Sequence, residues 1–247
     1  MICQTVINGS AVLFDLSHPI DISIPITESD PVNAFHLPKA VFNPFRAGDF
    51  IGSIEAGGPV RCDVITLAPH GNGTHTECVG HIGGKQFSLL QALTQQLWTS
   101  QLVTVAINAS GAVDRDSLQG AWNEHHEDAL IIRTLPNTPD KRSRLWSGNT
   151  PPYLTTEAMQ LIVDRGVQHL LIDLPSVDPE EDAGALAAHH VFWQYPNATR
   201  TQATITELIL VPDSVPDGRY LLDLNAAAFD ADAAPSRPML YRELVER

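Results

Sequence analysis

The stretch from Asp128 to Asp178 constrains the fold more than any other part of the chain. "DALIIRTL" (128–135) is a continuous apolar run of strand length. "TTEAMQLIVDRG" (155–166) reads as a helix. Thr155 or Thr156 can cap it, Met159, Ile162 and Val163 share one face, and Gly166 suits the position just past its end. "VQHLLIDLPSVD" (167–178) is a strand leaving that helix. Strand–helix–strand order, with several β stretches around it, predicts a mixed α/β protein.

The flanking segments agree. "VLFDL" (12–16), "CDVITLAP" (62–69), "QLVTVAIN" (101–108), "ATITELILV" (203–211) and "RYLLDLNAAAF" (219–229) read as strands. "LLQAL" (89–93) suits a helical turn. "DRDSLQGAWNE" (114–124) suits a helix capped by Asp114 or Asp116, and "ALAAHHVFW" (185–193) a short helix. Residues 27–58 and 136–152 are rich in turn formers and read as loop, the first with one short strand near Lys39 to Phe42. There is no repeat and no linker, so residues 1–247 are expected to form a single domain.

Composition narrows the function. The net charge is −14, from 15 Lys and Arg against 29 Asp and Glu. Nucleic acid and anionic membrane surfaces need basic patches, so neither partner is expected; a small-molecule substrate is. No stretch approaches the roughly 18 apolar residues of a membrane helix. The three cysteines, Cys3, Cys62 and Cys78, form no disulfide framework, and the N-terminus lacks a signal-peptide pattern. A cytoplasmic location is expected.

The chemistry concentrates in "LAPHGNGTHTECVGHI" (67–82), where His70, His75 and His81 surround Glu77. Imidazole and carboxylate together suit zinc, manganese or iron. His75 and Glu77 are two apart, so on an extended segment they point the same way. A turn across "GNGT" can fold His70 back onto the same ion, with glycine supplying backbone freedom. His81 can face the same cavity without binding. Glu207 shares a strand face with Ile205 and Ile209, where a carboxylate is costly unless paired or metal-bound. His189 and His190 lie together on the short helix. His125 and His126, among charges, read as a solvated turn. The nucleophile elbow G-x-S-x-G and the phosphate loop G-x-x-x-x-G-K-[ST] are absent.

Taken in order, "DLSHPI", "H…GTHTE…GH", "DLPSVD" with "LAAHH", and "ITEL…VPDGRYLLDL…AAPSRPML" resemble the cyclase-like metal-dependent hydrolases, over roughly residues 12–241. Known activities of that family include kynurenine formamidase and isatin hydrolase. Its pattern is His-x-Gly-Thr-His-x-Asp-x-Pro-x-His, with a later His and Glu. His75 and His81 match the second and last histidines of the run. Glu77 stands where the family has Asp, Val79 where it has Pro, and one extra residue separates His70 from "Gly-Thr-His". His189 matches the later histidine best, with His190 as rival, and Glu207 matches the late acid.

The resemblance implies a mixed α/β domain with a barrel-like β core and βαβ elements, assembled as a homodimer or homotetramer. It implies one or two zinc or manganese ions held by His70, His75, Glu77, His189 and Glu207. His81 would shuttle protons, and water activated by the metal would attack a formamide or cyclic amide carbonyl. The alternatives are a metal-dependent cyclase, dehydratase or lactone hydrolase, or a metal-free binding member. Phe35, Phe50 and Trp193 are candidates for an aryl pocket, with core packing as the competing use. His18 is a candidate support for the loop beside the site.

Overall fold

The computed structural model describes residues 1–7, 9–122 and 127–244. Its centre is a curled, mixed, nine-stranded sheet. The middle of that sheet is parallel: Leu97–Ala106, Ala129–Leu135, His169–Ile172 and Thr204–Glu207 lie side by side in one direction. Antiparallel strands extend both edges. His75–Cys78 pairs with Thr204–Glu207, and Ala233–Pro235 pairs with His75–Cys78. On the far side Gly218–Asp223, Met239–Arg242 and Ile20–Asp21 follow in turn.

Both faces of the central strands are buried, which is why those strands read as unbroken apolar runs rather than alternating ones. Val103, Val105, Leu130, Ile132, Leu170, Ile172 and Ile205 face the helices Arg115–Ala121, Thr156–Asp164 and Ala187–Trp193. They pack there against Leu118, Met159, Ile162, Phe192 and Trp193. The intervening residues Leu102, Ile131 and Leu171 point the other way, into a second core with Ile22, Ile209, Leu222 and Leu240. Each such side chain contributes about 1.5–3 kcal/mol through burial.

The helix signals hold. Thr155 accepts the Ala158 N–H and Asp114 accepts the Ser117 N–H, each as the residue before its helix. Gly166 takes φ +78° just beyond Thr156–Asp164. Asn123 and Glu124, at the end of the expected second helix, and the pair His125–His126 lie outside the described residues.

Two expectations need correction, and one expected strand lies apart. "CDVITLAP" forms a strand, but outside the main sheet. Its strand Asp63–Thr66 pairs with Val41–Pro44 in a separate two-stranded sheet that leaves Val41, Val64 and Ile65 exposed. The "ATITELILV" strand stops at Glu207, because Leu208 adopts φ +55° and its N–H turns to the Leu174 carbonyl. His18 is exposed and does not line the central cavity described below. Among the described residues, no helix is long and apolar enough to cross a membrane.

Candidate metal centre

The strand His75–Cys78 places His75 and Glu77 on one face, as their spacing requires. Its neighbour Thr204–Glu207 runs antiparallel, with Glu207 directly opposite His75. His75 Nε2 and Glu207 Oε2 stand 3.4 Å apart, both buried. His75 is oriented from behind, its Nδ1 lying 3.1 Å from the Gly73 carbonyl. Thr74 joins the two segments by donating to the Leu208 carbonyl while accepting the Ile24 N–H.

His70 arrives from a one-turn helix, Pro69–Asn72. The extra residue before "Gly-Thr-His" is absorbed in that turn, and His70 Nδ1 lies 3.2 Å from Glu77 Oε2. The glycines act here through size rather than through unusual dihedrals. A Cβ on Gly71 would lie 2.9 Å from the Ala34 carbonyl oxygen, and one on Gly73 would lie 2.8 Å from Ile26 Cγ1. Neither residue has positive φ in the left-handed range. Gly80–Gly83 then carries His81, whose Nδ1 stands 3.6 Å from Glu77 Oε2.

The helix Ala187–Trp193 turns its two adjacent histidines in different directions. His189 is buried and points Nε2 at Glu77 Oε1, 3.1 Å away. His190 turns away, its Nδ1 beside the Tyr195 carbonyl. Asp178 fixes His189: it accepts from Nδ1 at 2.6 Å and from the backbone N–H groups of Ala188 and His189. Trp193 lies stacked beside the His189 ring. It is a core residue, and Phe50 sits apart, against Phe45.

Two residues of the cluster escaped the sequence reading. Asp178 belongs to "DLPSVD", but nothing in its spacing ties it to His189. Asp232 lies 3.0 Å from His70 Nε2 and 3.4 Å from His81 Nδ1. It comes from a loop with no periodic pattern, 155 positions after Glu77.

Electrostatics bind the cluster. Burial would lower the basicity of His70, yet its contacts with Asp232 and Glu77 prevail and raise it to about 10. The same contest at His189, with Asp178 and Glu77 as partners, also ends near 10. Burial pushes the Glu77 carboxyl up, but the surrounding imidazoles hold it well below its usual range.

The donor set fits a divalent cation. Among the described residues, His75 Nε2 and Glu77 Oε2 are buried without a hydrogen-bond partner, a cost that native cores rarely accept. Ligand atoms of His70, Glu77 and His81, and of His75, Glu77 and Glu207, lie within 4.8 Å of one another. Ligands at roughly 2.0–2.1 Å from a four-coordinate ion stand about 3.3–3.4 Å apart. The contacts at 3.1, 3.2, 3.4 and 3.6 Å bracket that spacing. The His189–Asp178 contact at 2.6 Å is instead a direct charge-assisted hydrogen bond.

One cavity of about 310 Å³ opens over these groups. Glu77, His70, His81, His189 and Glu207 form its floor, and Phe35, Leu37, Pro179 and Leu186 line it as well.

Comparison with known proteins points the same way. The model of the Cyclase family, described as "Putative cyclase", matches residues 14–179. A kynurenine formamidase from Bacillus cereus is 26% identical over 191 residues, covering 76% of this chain and 83% of that one. A structure described as a "predicted metal-dependent hydrolase" from Bacillus stearothermophilus superposes with TM-score 0.66 at 19% identity, over 91% of this chain and 98% of the other. An isatin hydrolase bound to the product analogue thioisatinate superposes with TM-score 0.64 at 15% identity, over 91% and 92%.

Proposed function

The chain belongs to the Cyclase family, and from that premise we propose that it is a metal-dependent hydrolase cleaving the C–N bond of a formamide or cyclic amide. The observation that carries this reading is the spacing of the imidazole and carboxylate atoms under one cavity. The names of the formamidase and isatin hydrolase relatives support the choice of bond.

His70, His75, Glu77, His189 and Glu207 would hold one or two ions of zinc or manganese. When bound, such a cation supplies Lewis acidity, which brings the acidity of water near neutral pH and polarises a carbonyl. The chain supplies the rest. Asp178 locks the His189 ring, so Nε2 stays aimed at the floor of the cavity. His81 turns Nδ1 toward the carboxylates of Glu77 and Asp232. With Nδ1 turned to those carboxylates, we assign the proton transfer from water to the departing amine to Nε2. Phe35, Leu37, Pro179 and Leu186 offer apolar walls for a flat ring and exclude bulk water.

We include in this reading a cytoplasmic location, supported by the sparse cysteines, and a homodimer or homotetramer. The exposed Val41, Phe45, Val64 and Ile65 on and beside the separate strand pair support assembly. Light scattering should then give about two or four times 26.9 kDa.

The deciding experiment combines metal content with turnover. Protein purified without chelator should carry about one or two ions per chain, and His75→Ala should lose them. The loaded enzyme should release formate from formanilide, with solvent ¹⁸O appearing in the formate. Absence of metal, with none taken up from added zinc or manganese, would sink the reading. Turnover without solvent oxygen would move it to a lyase or cyclase.

A further inference from the structure

The central cavity has a polar group that the metal centre does not use. Four acids line it: Glu77, Glu180, Asp182 and Glu207. Glu77 and Glu207 belong to the cluster on the floor. Asp182 is fully engaged, its two carboxylate oxygens accepting the Gly184 and Leu186 N–H groups. Glu180 is different. Its Oε2 accepts the Gly148 N–H at 2.8 Å, while its Oε1 is buried and has no hydrogen-bond partner among the described residues. Leaving a carboxylate oxygen dry and unpaired is costly, and a donor on a ligand would offset that cost.

The rest of the lining says which donor. Among the described residues, no Lys or Arg lines the cavity, so away from the histidines of the floor, which the proposed metal centre engages, a substrate carboxylate would find no cationic partner. An ammonium group would meet its complement at Glu180, with a ring held against Phe35 and Leu186. Those two walls are built with strain: Phe35 has φ +57° and Leu186 φ +44°, conformations that non-glycine residues rarely hold.

We propose that Glu180 is the specificity residue of this pocket, selecting aryl amides that carry an aliphatic ammonium and no carboxylate. This assignment deepens the hydrolase reading and rests on it for where the reacting carbonyl lies. Glu180 positions the far end of the substrate and takes no part in breaking the bond.

The test uses the full, metal-loaded chain and three formanilides: unsubstituted, bearing a para 2-aminoethyl group, and bearing a para 2-carboxyethyl group. Wild type and Glu180→Gln are compared by kcat/KM at about 0.15 M salt, where long-range attraction to the acidic protein is largely screened. Glutamine keeps an acceptor for the Gly148 N–H and removes the charge. In wild type the aminoethyl compound should exceed the unsubstituted one by about tenfold, as one charge-assisted hydrogen bond allows. That ratio should fall toward one in Glu180→Gln. An equal ratio in both proteins, or a preference for the carboxyethyl compound, overturns the assignment. If no formanilide is turned over, the hydrolase reading has failed, and calorimetry with 2-phenylethylamine decides the subsite separately. A Kd at least about fivefold weaker in Glu180→Gln upholds it. An unchanged Kd, or no binding to wild type, overturns it.

Discussion

Three imidazoles converge on Glu77, and their second partners tell them apart. His189 is held by Asp178, His70 lies between Glu77 and Asp232, and His81 touches the same two acids at longer range. His81→Ala should therefore keep the metal and lose turnover by about 10²–10⁴-fold, the usual worth of a positioned acid–base group. Metal analysis beside kcat checks this, and loss of the ion would make His81 a ligand. Asp178→Ala should weaken metal affinity by about 10–100-fold, because His189 loses its fixed ring orientation; competition with a chromogenic chelator reads it. His70, His75, Glu77 and His81 were legible as one cluster because they lie within twelve residues, and His75 and Glu77 obey the two-residue period of a strand. His189 and Glu207, more than a hundred residues away, were named through the family resemblance. Asp178 and Asp232 were not legible. Their roles exist only where loops meet strands, and no period links them to the histidines they hold.

Among the elements, regular ones were easy to read and boundary features were not. The capped helix Thr156–Asp164 and the strand Ala129–Leu135 follow their patterns closely. The strand His75–Cys78 went unread as an element because three of its four side chains are polar although all four are buried, against the usual apolar alternation. Asp63–Thr66 carries β-branched residues as a strand should, yet it pairs outside the main sheet with most of its side chains exposed, since strand propensity does not say what covers a strand. Between the central strands and the loop that follows them lies a buried ion pair. Lys141 Nζ donates to Asp173 Oδ2 at 2.7 Å and to the Thr134 carbonyl, and Asp173 in turn accepts from Thr134. Lys141→Met would leave Asp173 buried without its cation. It should cost about 3–5 kcal/mol in urea unfolding. Adding Asp173→Asn, which keeps an acceptor for Thr134, should recover part of that loss.

Across the molecule, the mixed α/β class followed from the strand–helix–strand order. The antiparallel strands at both edges did not, because all their pairings except that of Gly218–Asp223 with Met239–Arg242 join segments more than a hundred residues apart, as in Thr204–Glu207 with His75–Cys78. The sheet also carries a titration with a global readout. His169 is buried on a central strand, its Nδ1 lying 2.8 Å from Thr204 Oγ1 and its ring against Trp98. Burial, with Arg200 nearby, lowers it to about 3. A histidine depressed in the folded state binds its proton first in the unfolded chain. Its contribution is thus complete above pH 6.5 and is lost as pH falls from 6.5 toward 3. Between about pH 6.5 and 5 the loss should be about 2 kcal/mol. Melting curves should show wild type falling more steeply with acid than His169→Gln; equal slopes would refute the assignment. A last consequence follows from the direct cross-strand pairing of His75 with Glu207. A slip of one residue in either strand would turn its ligand to the opposite face of the sheet. If the proposed ion binds there, only a correctly aligned sheet would load it, so metal uptake during refolding would proofread strand alignment, and a mispaired chain would betray itself by staying metal-free.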